Sequence, residues 1–154
     1  MPAEPPSDPA APPAPSASTS DAFPTTVPGF DKLLGTEYVE VGPDRVRAKL
    51  TLRSDLHQPY GIVHGGVLCS VVESAASMGA GMWFADRGGV VGVSNHTNFL
   101  RASRSGTLSI EATPIHRGRT QQLWLVEISN EEGKAVARGE VRLANITDQA
   151  QIGG

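Results

Sequence analysis

The sequence is dominated by one apolar segment, Gly65 to Ala85, which carries a single charged side chain and no proline. It is long enough to span a bilayer, but Glu73 at its middle would be costly in lipid, so it is predicted to be a buried helix of a soluble domain. A helix that is apolar almost all round needs cover on nearly every side, and one curved sheet covers roughly half of it. The remainder must face a ligand pocket or another subunit, which predicts a homodimer at least.

Strand-like segments lie on both sides of this helix in the sequence. Arg45 to Leu52 alternates strictly between polar and apolar residues, which is typical of a half-buried strand, and Tyr38 to Val41 is its predicted hairpin partner. Phe30 to Leu34 has helical spacing, and Gly35 is the predicted stop of this short helix. The later predicted strands are Val90 to Leu100, Thr107 to Pro114, Thr120 to Ser129 and Ala135 to Ile146. This order predicts an α+β fold in which one curved antiparallel sheet wraps around a long central helix.

The first 28 residues contain nine of the twelve prolines, three acidic residues and no lysine or arginine. Such a segment buries too little apolar surface to offset its ordering entropy, so residues 1–28 are predicted to be a disordered tail. The predicted domain covers residues 29–146, and residues 147–154 are predicted to be a flexible C-terminal tail. Without the first 28 residues, basic and acidic residues are equal in number.

This neutral body argues against nucleic acid as the main partner, because such binding depends on clustered basic residues. No secretory signal is visible, and a single cysteine fits a reducing cytoplasm, where we expect the protein to act. The four histidines show no metal-ligand spacing, and no glycine-rich phosphate loop is present. We therefore expect neither a metal nor another cofactor.

Ser70, Glu73, Ser74 and Ser77 follow helical spacing and form one narrow polar stripe on the apolar helix. One interpretation is the solvent face of an amphipathic helix. A solvent face would be wider and more charged, whereas this stripe has one carboxylate among Val, Leu, Ala, Met and Gly neighbours. The stripe therefore favours a functional site over a solvent face.

The segment His64-Gly65-Gly66 stands where the chain enters this helix. A helix N-terminus presents unpaired N–H groups, and glycine lets an acyl group approach them closely, so Gly65 is a candidate oxyanion donor. Glu73 lies about 12 Å further along the helix and cannot reach a group held at its own Gly65. In a two-fold dimer, Glu73 of one subunit could face Gly65 of the other.

Other polar residues near this helix have both structural and functional interpretations. Gln58 offers an amide that can donate to a carbonyl oxygen, and His64 could position a substrate or the loop, but each could equally satisfy local backbone. Cys69 is predicted to pack in the core. Two arginine pairs near strand ends, Arg101 with Arg104 and Arg117 with Arg119, are either solvated surface charges or phosphate ligands.

The sequence resembles the hot-dog-fold acyl-CoA thioesterases of the PaaI-like group, especially the glutamate-type 4-hydroxybenzoyl-CoA and the 1,4-dihydroxy-2-naphthoyl-CoA thioesterases. The resemblance covers residues 30 to 146. It rests on Gln58 to Gly66, on Glu73-Ser74, on Asn95 to Phe99 and on Ile115 to Gly118 followed by Trp124. It implies one helix wrapped by a five- or six-stranded antiparallel sheet, with dimers that pair their sheets edge to edge and often form tetramers.

The resemblance also implies roles for individual residues. The amide of Gly65 would polarise the thioester carbonyl with help from Gln58, and His64 would orient the site. Glu73 from the neighbouring subunit would act as nucleophile or as general base, and the Ser77 hydroxyl would bind the attacking water. Arg101, Arg119 and Thr120 are carried over as ligands of the CoA phosphates, although these positions vary among relatives. Many PaaI-like enzymes carry Asp at the position of Glu73, so this chain falls in the glutamate branch.

These inferences predict an acyl-CoA thioesterase that hydrolyses an aromatic or medium-chain thioester to the free acid and CoA. A non-catalytic acyl-CoA binding module is the main alternative, although a binder has no need of Glu73, Ser77 and Gln58 together. A hydratase on the same fold is the third possibility. Hydratases usually pair a His with a carboxylate, and this pairing is not apparent in the sequence. The sequence leaves three points open: which acyl group is hydrolysed, whether the protein is a dimer or a tetramer, and whether Glu73 acts as nucleophile or as general base.

Overall fold

The computed structural model describes residues 25–148. The predicted tails, residues 1–28 and 147–154, lie almost wholly outside this range and stay predictions. The helices are α1, Phe30–Leu34, and α2, Gly65–Phe84, with short 3-10 turns at Ser54–Leu56 and Ala85–Arg87. The strands are β1 Thr36–Val41, β2 Val46–Thr51, β3 Gly89–Phe99, β4 Thr107–Arg117, β5 Gln121–Ser129 and β6 Ala135–Ile146.

The six strands form one sheet in the order β1-β2-β4-β5-β6-β3, and every neighbouring pair is antiparallel. Helix α2 contacts all six strands. Its buried positions are Leu68, Val71, Val72, Ala75, Ala76, Gly79, Ala80 and Phe84, which pack on the apolar face of the sheet. The predicted architecture of a curved antiparallel sheet around a long helix is confirmed.

Helix α2 lies unusually close to the centre of the sheet at Gly79. A β-carbon at this position would come within 2.5 Å of the Trp124 ring, which is fully buried on β5. Only glycine allows this approach without moving either element. The contact sets the distance between α2 and β5. It therefore also sets the distance from the sheet to the polar stripe, which begins about two turns earlier in α2.

The element boundaries largely follow the predictions. Helix α1 ends at Gly35, whose φ of 84° is the left-handed conformation of a helix C-cap. The prediction that the strand after Thr107 ends at Pro114 is wrong, because β4 continues to Arg117. A bulge between Pro114 and His116 restores the pairing with β5, which is a usual way for a sheet to accept proline.

Strands β1 and β3 form the two edges of the sheet. The β1 edge is partly covered, since Tyr38 N–H donates to Thr25 O at 2.7 Å. Within residues 25–148, β3 pairs only with β6, and its other edge has no strand partner. Val93 and Phe99 on β3 are 61% and 57% exposed. The β3 edge is therefore unpaired and carries two exposed apolar side chains.

Candidate active site

Helix α2 begins with a side-chain cap from His64. His64 has extended backbone dihedrals, and its Nδ1 accepts a hydrogen bond from Gly66 N–H at 2.8 Å. The accepting Nδ1 carries no proton, so a neutral His64 has its proton on Nε2. Val67 N–H donates to His64 O at 3.0 Å. Among the described residues, Gly65 N–H has no acceptor and is the free donor at this helix end.

The Phe99 ring covers Gly65. A β-carbon on Gly65 would come within 2.7 Å of Cζ of this ring, so the ring lies against the α-carbon. Phe99 is the last residue of β3, and Asn95 ties the same strand to α2 by donating from Nδ2 to Cys69 O at 2.9 Å. Phe99 thus places an apolar ring against the residue that carries the free N–H.

Gln58 lies in the same cleft as Gly65. Its Oε1 accepts a hydrogen bond from Tyr60 N–H at 2.7 Å, which leaves the Nε2 donors without an acceptor among the described residues. The cleft has a volume of about 340 Å³, and Phe99 and Arg101 also line it. Two neutral N–H donors and one guanidinium therefore open onto one space.

The four arginines near strand ends fall into two classes. Arg104 Nη1 donates to Tyr60 O and Gly61 O at 3.1 Å each, and Arg117 Nη1 donates to Pro43 O at 2.9 Å and pairs with Asp44 at 2.8 Å. Both side chains hold loops in place. Within residues 25–148, the exposed side chains of Arg101 and Arg119 have no hydrogen-bond or ion-pair partner. Of the four, these two remain free for a phosphate.

The predicted polar stripe lies along one side of α2. Ser70 Oγ donates to Gly66 O at 2.7 Å, so this hydroxyl is used within the helix. Glu73, Ser74 and Ser77 line a cleft of about 290 Å³ together with Phe30 of α1. This cleft shares no lining residue with the Gly65 cleft. The structure therefore divides the predicted site residues between two clefts. Glu73 and Ser77 line one half-site, and Gln58, Gly65 and Arg101 line the other.

Glu73 is exposed in the single chain. Its carboxylate lies beside β3, where a β-carbon on Gly92 would be 3.3 Å from Oε1. Among the described residues no cation or hydrogen-bond donor pairs with it. Arg119 and Thr120 lie in the turn between β4 and β5, which Asn145 and Gln122 connect by hydrogen bonds to Ala80 in the C-terminal half of α2. They therefore lie near the C-terminal half of α2, away from Gly65 at its start.

Tyr38 of β1 marks a buried polar contact beneath α1. Its hydroxyl donates to Asp31 Oδ2 at 3.1 Å. Burial, and then the negative charge of Asp31, raise the pKa of Tyr38 above its usual value. The phenol is therefore held neutral as a hydrogen-bond donor.

Two further features bear on the sequence predictions. No group of three or more His, Cys, Asp or Glu side chains in the described part of the chain is arranged to hold a metal. Residues 65–87 are long and apolar enough to span a membrane, but they include the core helix that the sheet covers. The core helices of folded domains commonly have this length and composition.

Sequence reasoning missed three residues that shape this site. Phe99 and Asn95 belong to a segment that was recognised only by resemblance, and Arg104 was grouped with Arg101. Their roles depend on contacts between residues 26 to 44 positions apart, and no local pattern indicates such contacts.

Residues 60–137 match the sequence profile of the thioesterase superfamily. This chain belongs to the thioesterase superfamily. The predicted hot-dog fold and the class of thioester hydrolase are thereby confirmed.

Relatives of known sequence support this assignment over most of the chain. A Mycobacterium tuberculosis protein that is provisionally named an esterase is 48% identical over 86% of this chain and 96% of its own length. A 1,4-dihydroxy-2-naphthoyl-CoA hydrolase of Listeria monocytogenes is 30% identical over 75% of this chain and 94% of its own length. Among solved structures, AziG of S. sahachiroi is 48% identical with a TM-score of 0.77, covering 78% of this chain and 98% of AziG.

Proposed function

We propose that this protein is an acyl-CoA thioesterase of the cytoplasm that hydrolyses an aromatic or medium-chain acyl-CoA to the free acid and CoA. The observation that carries the proposal is the free Gly65 N–H, which opens with the Gln58 amide and Arg101 onto one cleft. A thioester carbonyl that accepts from Gly65 N–H would have its developing negative charge stabilised there. Such a donor is typically worth about 3 kcal/mol in the transition state.

The proposed active site is shared between two copies of the chain. Gly65 lies against Phe99 at the end of β3, whereas Glu73 lies beside Gly92 in the first half of the same strand. Antiparallel pairing of two β3 edges, centred near Asn95 and His96, would bring Glu73 of one copy towards Gly65 of the other. This arrangement also covers the exposed apolar side chains of the β3 edge. The proposed unit is a homodimer, which can assemble further into a tetramer.

Glu73 supplies the remaining chemistry in this proposal. As a general base it removes a proton from a water held by Ser77, and the resulting hydroxide attacks the carbonyl carbon. As a nucleophile it attacks that carbon itself, and water then hydrolyses the mixed anhydride. In either route the C–S bond breaks, and the thiolate of CoA leaves and takes up a proton. Arg101 and Arg119, with Thr120, bind the phosphates of CoA.

A hydrolysis screen with Glu73→Gln tests the proposal. The wild-type protein is expected to hydrolyse at least one of benzoyl, phenylacetyl, naphthoyl and straight-chain CoA thioesters. Glu73→Gln is expected to lower kcat about 100-fold because it removes the base or nucleophile but keeps the shape. Glu37→Gln, which changes an exposed carboxylate on β1, is the matched control and should retain full activity. Tight CoA-ester binding with no turnover by the wild type would instead indicate a binding module, and a Glu73→Gln loss below tenfold would remove Glu73 from the chemistry.

A further inference from the structure

Asn145, near the end of β6, holds all three carbonyl groups of the turn Gly118-Arg119-Thr120. Its Nδ2 donates to Gly118 O at 2.9 Å and to Arg119 O at 3.2 Å. Its backbone N–H donates to Thr120 O at 2.9 Å. One residue therefore fixes the direction of three successive peptide groups.

This turn is left with unused donors. The backbone N–H groups of Arg119 and Thr120 have no acceptor in the part of the chain that the structure describes, and neither has the exposed Arg119 guanidinium. Successive free backbone N–H groups and a guanidinium are the kinds of donor that bind anions in proteins. Asn145 engages all three carbonyl groups of the turn, so the polar groups that stay free there are donors.

A buried network connects Asn145 to the central helix. Gln122 is 1% exposed, and its Nε2 donates to Asn145 Oδ1 at 2.8 Å and to Ala80 O at 3.2 Å. Its Oε1 accepts from Trp124 Nε1 at 2.9 Å. Every polar group of this amide is satisfied, and such buried networks are rigid. The turn is thereby fixed relative to α2, one helical turn beyond Ser77.

We propose that Asn145 is a positioning residue that sets the affinity for the phosphate-bearing nucleotide of the thioester substrate and does not touch the reacting thioester. It acts through the turn that carries Arg119, and Gln122 holds it in place. The proposal rests on the proposed function, because it concerns the CoA part of the same substrate. It predicts an effect on KM that depends on the nucleotide and leaves the chemical step unaltered.

The test compares an acyl-CoA with the matching acyl-N-acetylcysteamine thioester, which lacks the nucleotide. For Asn145→Ala in the full chain, KM for the CoA ester is expected to rise about tenfold with kcat unchanged, because the turn loses its fixed geometry. The rate with the truncated thioester should not change. Arg119→Ala should give the same pattern, and the double variant should lose less than the product of the two single effects, because both act on one anion site.

Asn130→Ala is the matched control. Asn130 Oδ1 also holds a turn, between β5 and β6, by accepting from Glu132 N–H at 3.1 Å and Lys134 N–H at 2.9 Å. This variant should lose comparable stability without any change in KM for the CoA ester. If Asn145→Ala does not fold, Asn145→Ser, which keeps a hydroxyl acceptor for Gln122, takes its place.

Two results would overturn the proposal: an equal change with both thioesters, or no change with either one. If the wild-type protein hydrolyses neither thioester, the proposed function fails, and calorimetric titration with CoA alone still tests the role of Asn145. A weaker affinity for CoA in Asn145→Ala than in Asn130→Ala would then support it. Equal affinities in the two variants would reject it.

Discussion

The tip of the Phe99 ring lies against the α-carbon of Gly65, the residue whose N–H is free at the start of α2. This contact links the end of the edge strand to the first turn of the central helix. Because Phe99 is 57% exposed, its ring can move if a side chain is added at Gly65. A side chain added at Gly65 is therefore expected to impair catalysis more than it destabilises the fold.

We predict that Gly65→Ala lowers kcat/KM at least about tenfold with a small change in melting temperature. The added methyl group displaces the ring and enters the cleft beside the N–H donor. Kinetics with the best substrate and a thermal melt measure the two effects. Gly81→Ala in the same helix is the control, since outside the helix the one atom of residues 25–148 near an added β-carbon is Val90 Cγ2 at 4.0 Å. It should add about 0.5–1 kcal/mol of stability and retain full activity.

The cap made by His64 predicts a pair of variants with different stabilities. His64→Ala should lower the free energy of unfolding by about 1 kcal/mol because Gly66 N–H loses its acceptor. His64→Asn should restore most of that loss, since asparagine is a favourable N-cap residue. Urea denaturation measures both values. Equal stability of the two variants would show that the cap contributes nothing.

Tyr38 predicts a loss of stability at alkaline pH. Its folded-state pKa is raised above the unfolded value of 10.0, first by burial and then by Asp31. The neutral phenol therefore contributes stability fully below pH 10, and this contribution declines as the pH rises above that value. Denaturation between pH 8 and about 11 should show the decline, which Tyr38→Phe should reduce. Tyr60→Phe, at a side chain that is 84% exposed, should leave the decline as it is in the wild type.

The sequence is sufficient to predict most of the fold, because its alternation and its apolar helix are local patterns. The Gly35 stop and the start of α2 at Gly65 lie where the pattern placed them. The predicted strand ends too early, at Pro114, because the bulge that accommodates this proline depends on the partner strand β5. Arg101 and Arg104 are indistinguishable by sequence, and only the contact of Arg104 with Tyr60 and Gly61 separates them.

The shared site makes a prediction that a site within one chain does not make. Glu73→Gln and Gln58→Ala should each be nearly inactive alone. When the two variants are unfolded together and refolded, half of the dimers are hybrids, and each hybrid has one site with Gln58 of one chain and Glu73 of the other intact. Activity should then recover to about one quarter of the wild-type value. Mixing without unfolding is the control. No recovery after verified subunit exchange would place Glu73 and Gln58 of the same chain in one site.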